Sequence, residues 1–283
     1  MEIRKAVFAG SWYPANPSEC ARQIEDFIDE SPADDSGKTY LAGIVPHAGW
    51  VFSGSIACNV IRALQAGPTA DAIAVFGMHL HPGAPCYIMK AGGWETPFGN
   101  IAIDREITGR LSDRFSFEIE TPQHFSRDNT IELQLPFVKY FFPNAALVPL
   151  GVPPDAASLE VGQAVVEIAA ELGMQIRVIG STDLTHYGFN YGFTSHGTGA
   201  SAVQWVKAEN DRRIIEAMLA MRPEAVIDEA NTSHNACCAG AAATAIASAL
   251  QLGATRAEKL AYATSYDKSP GDSFVGYVGI VFA

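Results

Sequence analysis

Short apolar runs alternate along this chain with amphipathic stretches, and polar clusters stand where several of the runs end. Leu41-Ala42-Gly43-Ile44-Val45, Ala72-Ile73-Ala74-Val75-Phe76 and Gln175-Ile176-Arg177-Val178-Ile179 read as buried strands. Between 158 and 173 the apolar residues Leu159, Val161, Val165, Ile168, Ala169 and Leu172 recur with a helical period. Taken in order, the pattern predicts helix 17–29, strand 40–46, helix 54–66, strands 71–77 and 85–91, and helices 104–113 and 131–140. Strand 145–151, helix 157–173 and strand 175–181 follow. Helices near 199–220, 223–230 and 236–252 come next, then strands 259–265 and 274–282.

Strands alternating with helices predict one α/β domain over 1–283. Its central sheet is expected to be largely parallel or mixed and flanked by helices on both faces. The last two strands are close enough to pair as a hairpin, with Asp267 to Asp272, containing Pro270-Gly271, as the turn signal. Ser31 to Lys38 is the one linker-like stretch, and it reads as the end of the opening helix rather than a domain boundary.

Composition narrows the class. A chain of 283 residues with 48% hydrophobic and 18% charged residues can bury a substantial core and is too apolar to be disordered. A net charge of −12, with 19 scattered Lys and Arg, argues against nucleic acid or an anionic membrane as the main partner. Met1-Glu2-Ile3-Arg4-Lys5-Ala6 begins no signal peptide, and Ala236 to Leu250 is too short to span a bilayer. A cytoplasmic location is therefore expected, with Cys20, Cys58, Cys86, Cys237 and Cys238 as free thiols.

The polar clusters carry the candidate chemistry. His47, in Pro46-His47-Ala48-Gly49, follows the first strong strand, and His79 and His81 follow the next. Asp183 and His186 lie in Gly180-Ser181-Thr182-Asp183-Leu184-Thr185-His186-Tyr187-Gly188, after the strand at 175–181. The carboxyl ends of strands are where open α/β sheets place their chemistry. His47 is either a ligand or a structural histidine bonded to a carbonyl. Pro82-Gly83 turns the chain, so that only one of His79 and His81 is expected to reach a site.

Asp183 and His186 suit an orienting carboxylate and a general base, or else a helical cap and a local bond. His234 and Cys238, four apart at the start of a long apolar helix, would share one face, and a helix N-terminus favours a thiolate. One of Cys237 and Cys238 is expected to be a small hydrophobe in that helix. Histidines, a carboxylate and thiols together suggest a metal-dependent site. No nucleotide-binding glycine loop and no Gly-x-Ser-x-Gly elbow occurs.

In order along the chain stand Ala9-Gly10-Ser11-Trp12-Tyr13-Pro14, Pro46-His47-Ala48-Gly49, Thr96-Pro97-Phe98-Gly99 and Ile131-Glu132-Leu133-Gln134-Leu135-Pro136-Phe137. Ser181-Thr182-Asp183 with His186-Tyr187-Gly188, and His234-Asn235 with Cys238, complete the set. Together these motifs resemble the Memo family, whose prokaryotic members are often described as protein B of an AmmeMemoRadiSam system. The resemblance implies a fold like that of class III extradiol (LigB-type) dioxygenases, which hold non-haem iron by two histidines and a carboxylate. It implies His47 and His79 as metal ligands and Cys238 in place of the carboxylate. It puts His186 in the position of the acid/base histidine, with Asp183 beside it. Trp12, Tyr13, Trp50 and Tyr187 fall within the matched motifs and are expected to line the cleft.

Two departures from the family pattern stand out. Gly77-Met78-His79 is one residue shorter than the usual Gly-Pro-x-His loop, which favours His79 as the ligand while leaving His81 as the alternative. Asp128-Asn129-Thr130 stands where Glu-His-Ser is common, and His124 is the nearby candidate to replace the missing histidine. Two imidazoles and a thiolate suit Fe(II) or copper, and zinc is chemically acceptable. The expected function is a metal-dependent oxidoreductase acting on an unidentified small molecule, phenolic in the first instance. The alternative is a non-catalytic binding or scaffold protein on the same fold, and a zinc hydrolase using His186 as base ranks behind both. The system's name implies radical SAM and AMMECR-type proteins as partners.

Overall fold

The computed structural model describes residues 1–30 and 38–283, so the linker-like stretch lies, except for Lys38, outside the described residues. The chain opens with β1 (Ile3–Arg4), α1 (Pro17–Asp29), β2 (Ala42–Val45), α2 (Trp50–Ala63) and β3 (Ala72–Gly77). Next come β4 (Cys86–Met89), β5 (Gly93–Thr96), β6 (Gly99–Ala102), α3 (Arg105–Arg114) and β7 (Phe117–Glu120). Two short helices, α4 (Asn129–Glu132) and α5 (Leu135–Phe141), lead to β8 (Ala146–Gly151), α6 (Ala156–Glu171) and β9 (Ile176–Ser181). After β10 (His186–Gly188) come α7 (Ala200–Trp205), α8 (Asp211–Leu219), α9 (Pro223–Ser233) and α10 (Ala239–Gln251). The chain closes with β11 (Ala257–Thr264), α11 (Ser265–Lys268) and β12 (Ser273–Phe282).

The main sheet is mixed, in the order β10-β12-β2-β9-β3-β8-β4-β7, with β11 paired to β12. Its centre, β2-β9-β3-β8, is parallel. Every residue of β2, β3 and β9 is buried, which is why these strands read as continuous apolar runs. Side chains alternate between two cores: Ala72, Ala74 and Phe76 join α3, α6, α8, α9 and α10, while Ile73 and Val75 join α1, α2 and α5. The α/β class, with a mixed sheet flanked on both faces, is the one the pattern predicts. No helix among the described residues is long and apolar enough to cross a membrane.

The differences have local causes. Pro136 lies within the first turn of α5, and the expected helix 131–140 is accordingly two short helices. The expected run 199–220 is interrupted by one π-helical turn at Val206–Asn210. β11 and β12 do pair antiparallel, but α11 occupies the start of the expected turn. A capping box holds it there, in which Asp267 accepts from the backbone and hydroxyl of Thr264. The small sheet β1-β5-β6 and the strands β7 and β10, each two to four residues long, were not expected, because segments this short show no periodicity.

Helix α10 is almost entirely small residues, and it uses them to lie close against the sheet. A Cβ on Gly180 of β9 would come 2.6 Å from the carbonyl oxygen of Ala241, and one on Gly240 would collide with the backbone of Pro153. Replacing Gly180 with valine should therefore lower the unfolding free energy by about 1–3 kcal/mol, read from urea titration. An unchanged midpoint would show that α10 has room to retreat.

Candidate metal centre

Because β9 lies between β2 and β3, the loops at their carboxyl ends emerge side by side. They carry His47, Asp183 and His79, and the start of α10 meets them from above one face. The donor atoms of His47, His79, Cys237 and Cys238 all lie within 4.8 Å of one another. Cys237 Sγ is 3.3 Å from His47 Nε2 and 3.8 Å from Cys238 Sγ. The two imidazoles stand nearly perpendicular, with ring centroids 5.0 Å apart.

A hydroxyl and a carboxylate set how the imidazoles face. The Ser181 hydroxyl donates to Thr130 O at 2.8 Å, so at 3.0 Å it accepts from Nδ1–H of His47 and leaves Nε2 to face the thiols. His79 Nδ1 lies 2.8 Å from Asp128 Oδ2, which also accepts from the His79 backbone N–H. The other oxygen of Asp128 is taken by the N–H and hydroxyl of Thr130. A ligating histidine commonly has its far nitrogen fixed in this way. Met78 adopts φ +73°, an uncommon conformation for a residue with a side chain, and its N–H is held by Thr130 Oγ1 at 2.7 Å.

The electrostatics are mutual. Burial opposes charge on the Cys237 thiol, but the bond to Cys238 and the neighbouring His47 and His79 outweigh it and hold the thiol well below its ordinary value. Burial and the neighbouring Cys237 push Cys238 up. Burial disfavours the imidazolium of His47, yet Asp183 and Cys237 raise its proton affinity overall. His79 is raised likewise, because its bonds to Asp128 and Cys237 outweigh burial. These are protons that a cation would displace.

The structure sorts the expected residues. His79, not His81, joins the donors; His81 is exposed and its Nδ1 bonds Pro82 O. His124 is exposed in a turn with Thr121 and replaces nothing. Asn129 instead donates to His47 O at 2.8 Å, and Gln134 donates to Pro46 O at 3.0 Å, so two amides pin the His47 loop. His234 shares no helical face with Cys238. It ends α9 in a left-handed conformation, φ +51°, whereas Cys238 caps α10. Cys237 belongs to the donor cluster and, like Cys238, also packs against the apolar core.

Asp183 does not bond His186. Its Oδ1 accepts the His47 backbone N–H at 2.7 Å and its Oδ2 lies 4.0 Å from His47 Nε2, so it serves the His47 loop. His186 Nδ1 is 3.2 Å from Leu184 O, and its ring meets Tyr191 edge-on.

Two cavities flank the cluster. One, about 990 Å³, is bordered by His47, His79, Asp183, His186, Trp12, Tyr13 and Trp50; of these aromatics Trp12 is exposed, whereas Tyr13 and Trp50 are buried in the core. Tyr187 is not among its walls: it is wholly buried, and its hydroxyl bonds His196 and Gly197. Tyr191 and Tyr277 line the cleft and had no distinguishing mark in the sequence. The second cavity, about 730 Å³, is lined by Cys237, His234, Leu184 and Phe193, and it shares His79, His186 and Tyr191 with the first.

The loop between β9 and β10 is fixed from behind by Asp211, which nothing in the sequence marked. Asp211 is fully buried, accepts from the N–H and hydroxyl of Thr185 and from the Tyr262 hydroxyl, and so anchors the segment between Asp183 and His186.

Comparison with known proteins matches the sequence of this chain to a family. A family model described as Memo-like protein covers residues 4–281. A MEMO1 family protein of Pyrococcus furiosus is 32% identical, with 99% of this chain and 98% of that one aligned. MEMO1 family proteins of Thermococcus kodakarensis and Methanopyrus kandleri are each 31% identical, with 99% of this chain aligned and 99% and 98% of theirs. The likeness thus includes every donor loop and α10. A crystal structure of an uncharacterized protein from Escherichia coli K12 aligns over 85% of this chain and 99% of its own at 12% identity. Its TM-score of 0.48 is too low to bear on the site.

Burial pushes the Asp211 carboxyl up to about 6 from an ordinary 3.8, against the hydrogen bonds that favour its charge. The folded chain then holds this proton more tightly than the unfolded one, so the group's stabilising contribution is complete below pH 3.8 and lost as pH rises through about 6. Between pH 4 and 7 the wild type should lose about 2 kcal/mol relative to Asp211→Asn, measured by chemical denaturation. Parallel stability curves for the two proteins would count against a buried, proton-retaining Asp211.

Proposed function

This chain belongs to the Memo family, and from that premise we propose that it is a metal-dependent, dioxygenase-like oxidoreductase with iron or copper held by His47, His79 and Cys238. Its substrate on this reading is a small phenolic or otherwise oxidisable molecule. The observation that carries the reading is the convergence of these donors within 4.8 Å beside a cleft of about 990 Å³. The residues fit such an ion. Two imidazoles anchored at their far nitrogens and a buried thiol make a mixed nitrogen and sulfur set that suits a redox-active metal. Iron or copper bound there would supply one-electron chemistry and Lewis acidity toward a substrate oxygen.

The chain's own residues would do the rest. Trp12, exposed at the cleft, would meet an aromatic ring, with the buried Tyr13, Trp50 and Tyr277 packed behind. His186, partly exposed on that wall, would take a proton from a substrate hydroxyl. Asp183, whose carboxyl holds the His47 loop beside the same cleft, would support His186 in that transfer. The free state of all five cysteines accords with a cytoplasmic location.

Elemental analysis tests the reading on untagged protein expressed with iron, copper and zinc available. The wild type should carry near-stoichiometric iron or copper, and both His47→Ala and Cys238→Ser should lose it. A wild type that is metal-free and also refuses added iron and copper would overturn the proposal.

A further inference from the structure

We propose that Cys237 is a fourth protein ligand, so that the centre is a His2Cys2 site for a soft, tetrahedral ion rather than a three-ligand site with a permanently open position. The inference rests on the metal-centre reading above and deepens it. Its support is geometric. An ion bound tetrahedrally at about 2.3 Å to sulfur and about 2.0–2.1 Å to nitrogen sets S···S edges of about 3.8 Å and N···S edges of about 3.5 Å. Two of the six edges are 3.8 Å between the two sulfurs and 3.3 Å from Cys237 Sγ to His47 Nε2, and all six are within 4.8 Å.

Neighbouring residues in a strand point to opposite faces, and two adjacent cysteines would not normally meet one ion. Here the two sulfurs nevertheless lie on one side, 3.8 Å apart and within one cluster with both imidazoles, where the chain enters α10. The dipeptide is also clamped to the β9 loop: Cys237 N–H donates to Asp183 O at 3.2 Å, and Cys238 N–H donates to Thr182 Oγ1 at 3.1 Å. Both thiols are thus positioned by backbone bonds that owe nothing to an ion.

Two consequences follow for the centre. Two thiolates favour copper(I) or zinc over iron(II). Cys237 also fills the position that a three-ligand set would leave for an exogenous molecule. Because Cys237 lines the smaller cavity, its withdrawal would open the ion on that side.

Cobalt(II) is the probe for the first test, added to the full-length chain. We expect one cobalt per chain and a near-ultraviolet sulfur-to-cobalt band that falls to about half in Cys237→Ala and, separately, in Cys238→Ala. X-ray absorption of the zinc-loaded wild type gives a count independent of any variant's folding, and two sulfur neighbours are expected. One sulfur neighbour, or a cobalt band unmoved by Cys237→Ala, overturns the inference and leaves an S–H···S hydrogen bond as the reason for the 3.8 Å separation. A wild type that takes up neither cobalt nor zinc overturns the metal-centre reading together with it.

Discussion

The approach of α10 to the sheet is the contact on which the rest of this molecule depends. Gly180 has no side chain where Ala241 O comes near, and Gly240 has none where the loop after β8 crosses. On its other side α10 meets α6, where Gly162 makes room for Thr244 and Ser248. A helix of larger residues would ride higher and carry Cys237 and Cys238 away from His47 and His79. Close packing is unforgiving of added volume, so this one interface fixes the distance between donors that lie 190 positions apart.

Around the donors, a small network resolves what would otherwise be a costly concentration of buried polar groups. Thr130 accepts from Met78 through its hydroxyl, donates to Asp128, and offers its carbonyl to Ser181. One residue of α4 thereby connects the β3 and β9 loops. The positive φ of Met78 is strain that this network holds in place, at the point where the chain must turn to aim His79 inward. Asn129 contributes from the same turn, and its bond to His47 O gives a physical role to the residue standing where the family commonly has histidine.

The cleft and the donor cluster are asymmetric in exposure. His47 and Cys238 are buried, while the side chain of His79 is 44% exposed. A ligand set with one accessible member can exchange protons or ions with solvent without unfolding the core. The two cavities meeting at His79, His186 and Tyr191 place the proton-accepting candidate on the same boundary.

The sequence by itself determined the α/β class, the parallel centre of the sheet and most long helices, because burial on both faces writes uninterrupted apolar runs and burial on one face writes a helical period. It also named His47, His79, Cys238 and His186, since these sit in short motifs at strand and helix ends. Tertiary structure alone decided which of several similar residues arrive. His81 and His79 are two apart, yet His79 is held by Asp128 beside the other donors while His81 turns to Pro82 O. His234 and Cys238 looked like one helical face until the chain broke between α9 and α10. Cys237 could be read as a small hydrophobe, yet the fold sets its sulfur 3.3 Å from His47 Nε2. Asp183 looked like the partner of His186, yet its hydrogen bond goes to a backbone 136 positions away. Asp128 and Thr130 are marked only as a departure from the family pattern and Asp211 not at all, because a polar residue that positions another through space leaves its mark in three dimensions and not along the chain.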